Sequence, residues 1–100
     1  MDYDVRFFQT IHNEDLNEVI ELENQIKLNF VPNEGLYVDI SPFPFWRHRI
    51  ERVVWNPLGF FLCFFEDLYF EREMKIEWED VVGHYITDKK NWSISHYEIP

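Results

Sequence analysis

The hydrophobic pattern of this chain is densest over residues 53–65, VVWNPLGFFLCFF. Within it, Asn56-Pro57-Leu58-Gly59 has the chemistry of a turn. Pro57 pre-sets φ at the second position, Asn56 suits the first and Gly59 the fourth. β-Branched and aromatic residues flank the turn, so the spacing predicts a β-hairpin pairing residues 49–55 with 60–65. The second arm has no polar face: Phe60, Leu62 and Phe64 point one way, Phe61, Cys63 and Phe65 the other. A strand apolar on both sides must be covered on both sides. This chain can supply one cover; the other calls for a second element or a second protein. The run falls short of the ~20 apolar residues that a membrane span needs.

Alternation also marks residues 3–11. Tyr3, Val5, Phe7, Gln9 and Ile11 share one side, and Asp4, Arg6, Phe8 and Thr10 the other, which predicts a first strand. Residues 13–30 read as a helix. Asn13 suits an N-cap, and Glu14 and Asp15 suit the positive end of a helix dipole. Leu16, Val19, Ile20, Ile26 and Phe30 fall on one side at a spacing of 3.6, with Leu22 at its edge. Asp15, Glu18 and Glu21 line the outer side, and Glu23 and Lys27 form an i,i+4 pair. Pro32 and Gly35 end this element.

Residues 36–40 predict a short strand. In residues 41–46, SPFPFW, alternating prolines hold the backbone extended. Phe43, Phe45 and Trp46 there either plug the open side of the sheet or form a recognition surface. Next, Arg47, Arg49, Glu51 and Val53 alternate with His48, Ile50, Arg52 and Val54, and the arginines are placed to neutralise nearby carboxylates. Residues 68–79 have a period of two. Leu68, Phe70, Met74, Ile76 and Trp78 share one parity, broken by Arg72. Tyr69, Glu71, Glu73, Lys75, Glu77 and Glu79 share the other, so a strand with one buried and one acidic face is expected. Residues 78–86 fit a helical face through Trp78, Val81, Val82 and Tyr85, but Gly83 and the paired valines favour a strand. A polar turn at 87–91 and a last strand at 92–99 complete the chain.

These elements predict a single α+β domain over residues 1–100. One N-terminal helix packs on an antiparallel sheet of five or six strands, in the order β-α-β-β-β-β(-β). A composition of 46% hydrophobic and 19% aromatic residues supports a packed core rather than disorder. With no alanine and ten phenylalanines, that core must be built from large side chains.

Charge narrows the function classes. A net charge of −10 repels nucleic acid and anionic membranes and attracts a cationic partner. The acidic start, Met1-Asp2-Tyr3-Asp4, is unlike a secretion signal. The single cysteine, Cys63, fits a reducing, cytoplasmic setting, and its apolar neighbours predict a buried, inert thiol. His12, His48, His84 and His96 are dispersed and show no zinc spacing. No phosphate-binding glycine loop and no Ser-His-Asp arrangement can be drawn. The expectation is therefore no enzyme, no metal and no cofactor.

The expected function is a small acidic protein-binding module of bacterial type. Its concrete form is an immunity protein or antitoxin-like inhibitor that covers the nucleic-acid-binding site of a basic nuclease toxin. The expected contact residues are Asp15, Glu18 and Glu21, then Phe43, Phe45 and Trp46, then Glu71, Glu73, Glu77 and Glu79. The alternatives are a homodimeric interaction subunit burying the aromatic side of residues 53–65, and a nucleic-acid mimic that blocks a DNA-binding protein.

Overall fold

The structure, a computed structural model, describes residues 2–87 and 91–98. The expected turn at 87–91 lies largely outside these residues, as do Ile99 and Pro100 of the expected last strand. The elements run β1 (Tyr3–Asn13), β2 (Glu18–Leu28), β3 (Tyr37–Val38), β4 (His48–Asn56), β5 (Phe60–Phe65), β6 (Leu68–Tyr69), α1 (Trp78–Thr87) and β7 (Trp92–Glu98). The strands form one sheet in the order β3-β4-β5-β1-β2-β7, with β6 pairing to β1 beside β5.

Two features of the expected α+β fold are overturned. The N-terminal helix over 13–30 does not exist: residues 14–17 are a turn, and β2 runs antiparallel to β1 over the full length of both. Asn17 sits at φ 54°, a left-handed conformation that Asn tolerates better than most residues. Beyond it Ile20, Leu22 and Asn24 are buried, and Val19, Glu21 and Glu23 alternate with them on the other side. Pairing with β1 satisfies the backbone of β2 and buries its apolar row in one step. That outweighs the local helix signals of the Glu-rich segment. The Glu23–Lys27 pair is lost with the helix, and Glu23 instead accepts a hydrogen bond from Gln25 Nε2 at 3.1 Å. The sheet is also mixed rather than antiparallel, because β1 pairs in parallel with β5 and β6.

The helix lies near the other end of the chain, in place of the strand expected over 78–86. Trp78, Val81 and Tyr85 are its buried side, so tertiary contact outweighs the cost of Gly83. Residues 70–77 are irregular and not a strand, yet their burial keeps the alternation. Phe70, Met74 and Ile76 are half-buried, and Glu71, Glu73, Lys75 and Glu77 are exposed.

The central hairpin forms as expected, with β4 and β5 paired antiparallel. Gly59 N donates to Asn56 O at 2.9 Å, and Asn56 Oδ1 accepts from Leu58 N at 2.9 Å. Gly59 sits at φ 100°, which is why the turn needs glycine there. A register shift between Ile50 and Arg52 breaks the alternation expected along β4. His48 and Ile50 face the core, while Arg52 is carried to the opposite side by this bulge.

One side of the sheet holds the core: Val5, Phe7, Ile11, Ile20, Leu22, Ile50, Cys63 and Phe65 are buried there. The sheet curls around this side. Trp92 of β7 reaches the His48 ring of β4 at 5.1 Å, although these strands are not neighbours, and its Nε1 donates to Ile40 O at 2.7 Å. Helix α1 and residues 41–46 close the gap. Phe43 is the hub, with ring contacts to Trp46, His84 and Tyr85 at 5.5, 5.2 and 5.5 Å. Ser41 Oγ holds the loop by accepting from Phe43 N at 3.1 Å. Residues 41–46 therefore act mainly as the plug: Phe43 and Trp46 are buried, and Phe45 is half-exposed. Among the described residues no helix is long and apolar enough to cross a membrane.

Candidate protein-binding surface

The acidic residues singled out from the sequence do not form the two expected stripes, because the elements that would align them are absent. Asp15 stands in the β1–β2 turn and accepts from Arg72 Nε at 2.7 Å. Glu18 is half-buried and accepts hydrogen bonds from Trp78 Nε1 and, at 3.2 Å, from Tyr97 OH. It anchors the start of α1 to the sheet. Burial, and then the Glu18 carboxylate, hold the Tyr97 hydroxyl above its ordinary titration range. Glu21 lies on the outer side of the sheet, where its Oε1 accepts from Ser95 Oγ at 2.7 Å.

The remaining acids lie along the segment that leads into α1. Phe70 N donates to His12 O at 2.8 Å, which fixes the start of the irregular segment beside β1. Met74 N donates to Glu71 O at 3.1 Å and closes a turn. Asp80 N donates to Glu77 O at 3.0 Å and begins α1. Glu79 and Asp80 therefore occupy the first helical turn, where the dipole stabilises negative charge. Below them Phe70 packs on Trp78 with ring centroids 5.3 Å apart.

Two shallow grooves flank residues 74–77. One, of about 270 Å³, lies between the Asp15–Leu16 turn, Arg72, Glu77 and Glu79. The other, of about 460 Å³, is bounded by Phe43, Phe45, Lys75, Asp80 and His84. Met74, Ile76 and Glu77 line both. Exposed carboxylates of Glu77, Glu79 and Asp80 thus rim an apolar floor that reaches Phe45, and Glu71 and Glu73 are exposed on the segment leading to it. Of the expected contact residues, the fold gathers Asp15, Phe45, Glu77 and Glu79 here, and leaves Glu71 and Glu73 exposed on the adjoining segment. It sends Glu18, Phe43 and Trp46 inward, and Glu21 to another face. Asp80 and Leu16 join the surface without having been singled out. The turn at 14–17, once recognised, would have placed Leu16 there.

The histidines serve separate structural contacts. His12 Nε2 lies 2.8 Å from Asp67 Oδ2, and His96 Nε2 lies 2.9 Å from Glu98 Oε1. His48 is fully buried. Gln9 Nε2 donates to Thr10 O at 2.9 Å and to Glu66 O at 2.8 Å, which turns Gln9 Oε1 towards His48 Nδ1 at 2.7 Å. Nδ1 must then carry the proton, and Nε2 accepts from Tyr85 OH at 3.3 Å. Burial lowers the His48 pKa to about 4, so the ring is neutral at pH 7. Burial raises the Tyr85 hydroxyl far above its ordinary range, partly offset by a hydrogen bond with Ser41. Cys63 is buried, and its thiol is pushed up to about 11, which keeps it protonated. Arg49 pairs with Glu66, as its charge suggested. Among the described residues no three His, Cys, Asp or Glu side chains converge as a metal site. No family model, curated protein or solved structure matches the chain.

Proposed function

We propose that the protein is a non-catalytic, cytoplasmic binding module for a basic protein surface. Its concrete form is an inhibitor of the immunity type, which covers the nucleic-acid-binding face of a nuclease toxin. A nuclease presents cations because its substrate is a polyanion, so an acidic cap competes for the same groups. The observation that carries the reading is the convergence of Glu77, Glu79 and Asp80 around the apolar floor of Met74 and Ile76, beside the half-exposed Phe45. This arrangement suits two stages of association. The carboxylates speed the encounter, and the aromatic and aliphatic floor supplies contact once water is excluded.

The test uses a panel of purified basic ribonuclease and deoxyribonuclease toxin domains, titrated calorimetrically at about 50 and 300 mM salt. Supporting results are binding to a nuclease that weakens about tenfold or more at high salt, together with loss of nuclease activity. The triple variant E77K/E79K/D80K is expected to abolish that binding while keeping its circular dichroism spectrum. Affinity that ignores both salt and charge reversal would overturn the electrostatic reading. Failure to bind any nuclease in the panel would overturn the toxin-inhibitor form.

A further inference from the structure

On the outer side of the sheet, Phe8, Arg52 and Phe64 line an open groove bordered by Glu34 of the β2–β3 loop and by Glu51. This side is not a uniform surface. The strand registers place Arg52 of β4 beside Phe64 of β5, Phe64 beside Phe8 of β1, and Phe8 beside Glu23 of β2. One level of the sheet therefore reads cation, ring, ring, anion. The Arg52 guanidinium lies over the Phe64 ring at 4.3 Å, and the Phe64 and Phe8 rings stack at 5.2 Å. The row is antisymmetric in charge about the line between β5 and β1.

Antisymmetry of this kind has a geometric consequence. A two-fold axis lying above that line and parallel to the strands maps β5 onto β1 and β4 onto β2 of a second copy. It leaves the level along the strands unchanged. Arg52 of each copy then opposes Glu23 of the other, and Phe64 opposes Phe8. The next two levels set Leu62 against Arg6 and Phe60 against Asp4, so none of the three opposes like charges. Stacked sheets lie about 10 Å apart, a gap that opposed phenylalanines fill and an Arg–Glu pair can bridge. Their aligned crossing of about 30° keeps the level at the crossing point in register.

We propose that this face is a self-complementary interface that pairs two copies of the chain about that two-fold axis. The Phe8–Phe64 cluster is its centre, and reciprocal Arg52–Glu23 pairs close its two sides. The occupant is a second copy rather than a foreign protein because the complementary charges are already present, in matching register, on the same face. Four strands and three levels span roughly 20 Å by 20 Å, which is small for a stable interface. The dimer is therefore weak and reversible, and charge matching selects its geometry. It lies apart from the acidic end, so pairing leaves that surface open.

Sedimentation equilibrium of the full chain over about 10 to 500 µM tests the proposal. The wild type is expected to pass from monomer towards dimer within that range. R52E and E23R each set like charges face to face, and each is expected to weaken self-association about tenfold or more. Mixing the two single variants is the decisive measurement. In the mixed pair both reciprocal contacts regain opposite charge, so a heterodimer is expected with affinity near that of the wild type. The double variant R52E/E23R is expected to regain homodimerisation for the same reason. A wild type that stays monomeric throughout overturns the proposal. So does a mixture of R52E and E23R that associates no better than either alone.

Discussion

Proton uptake by His48 in the unfolded chain should weaken the fold well before the carboxylates titrate. The ring is fully buried between Gln9 and Tyr85, with Phe65 and Trp92 packed on it at 5.0 and 5.1 Å. Its pKa falls to about 4 in the fold, against about 6.5 in an unfolded chain. Above pH 6.5 both states hold the ring neutral, and the stability it supports is fully present. As pH drops, the unfolded state takes up the proton first, so stability is lost progressively until the folded ring protonates near pH 4. The whole shift corresponds to about 3 kcal/mol, of which about 2 kcal/mol is lost between pH 6.5 and 5. His48→Gln cannot titrate. It should be less stable at pH 7.5 by about 1–3 kcal/mol, through lost packing and hydrogen bonds. The gap should then narrow by about 1.4 kcal/mol per pH unit below pH 6. Urea unfolding of both proteins at several values between about pH 7.5 and 5 reads this directly, above the ordinary carboxylate range. Parallel stability profiles for the two proteins would refute the assignment of this proton to His48.

Other substitutions should separate the roles of backbone and packing. Gly59→Ala meets no neighbouring atom but inherits φ 100°, so it should cost about 1–2 kcal/mol in chemical denaturation. Gly83→Ala also meets no atom, yet it lies within α1 and should stabilise by up to about 1 kcal/mol; equal signs for the two would contradict the assigned turn and helix. Phe43→Ala removes the hub of the plug over the core and should cost about 3–5 kcal/mol, with a loss of near-ultraviolet aromatic signal. Cys63 should react with a thiol reagent only at the rate of unfolding, and rapid modification of native protein would show that the core is open.

The sequence was a better guide to burial than to secondary structure. In residues 68–78 the inward and outward positions follow the alternation at all but Arg72, although only two residues are strand. A side chain's hydrophobicity decides which way it faces whether or not the backbone is regular. The misreading of residues 13–30 has a different cause. Ile20, Leu22, Ile26 and Leu28 form a period-two row, but Asn24 interrupts it, and the capping signals at Asn13–Asp15 favour a helix locally. Pairing with a distant segment, invisible in a local window, decided between them. The parallel pairing of β1 with β5 was likewise hidden, since register between separated strands has no local signature. The bulge at Glu51 moved Arg52 to the outer side, so the row it forms with Phe64, Phe8 and Glu23 could not be drawn beforehand. At the acidic end the contributing residues were largely legible. Their meeting around Met74 and Ile76 required the irregular segment and the start of α1.

The parallel seam between β1 and β5 also constrains how the chain acquires its shape. The β1–β2 and β4–β5 pairs are local hairpins, and each can close without the other. The seam joins them only when residues far apart in the chain meet, and Phe7 on Phe65 and Phe8 on Phe64 stack across it, on opposite sides of the sheet. Docking of two preformed hairpins is therefore the slow, entropically expensive event, and β7 can add only to an edge that already exists. During synthesis the first hairpin emerges with Val5, Phe7, Ile20 and Leu22 bare until β5 has left the ribosome. That interval is when the chain is most exposed to aggregation, and when the acidity of its leading half offers the most protection.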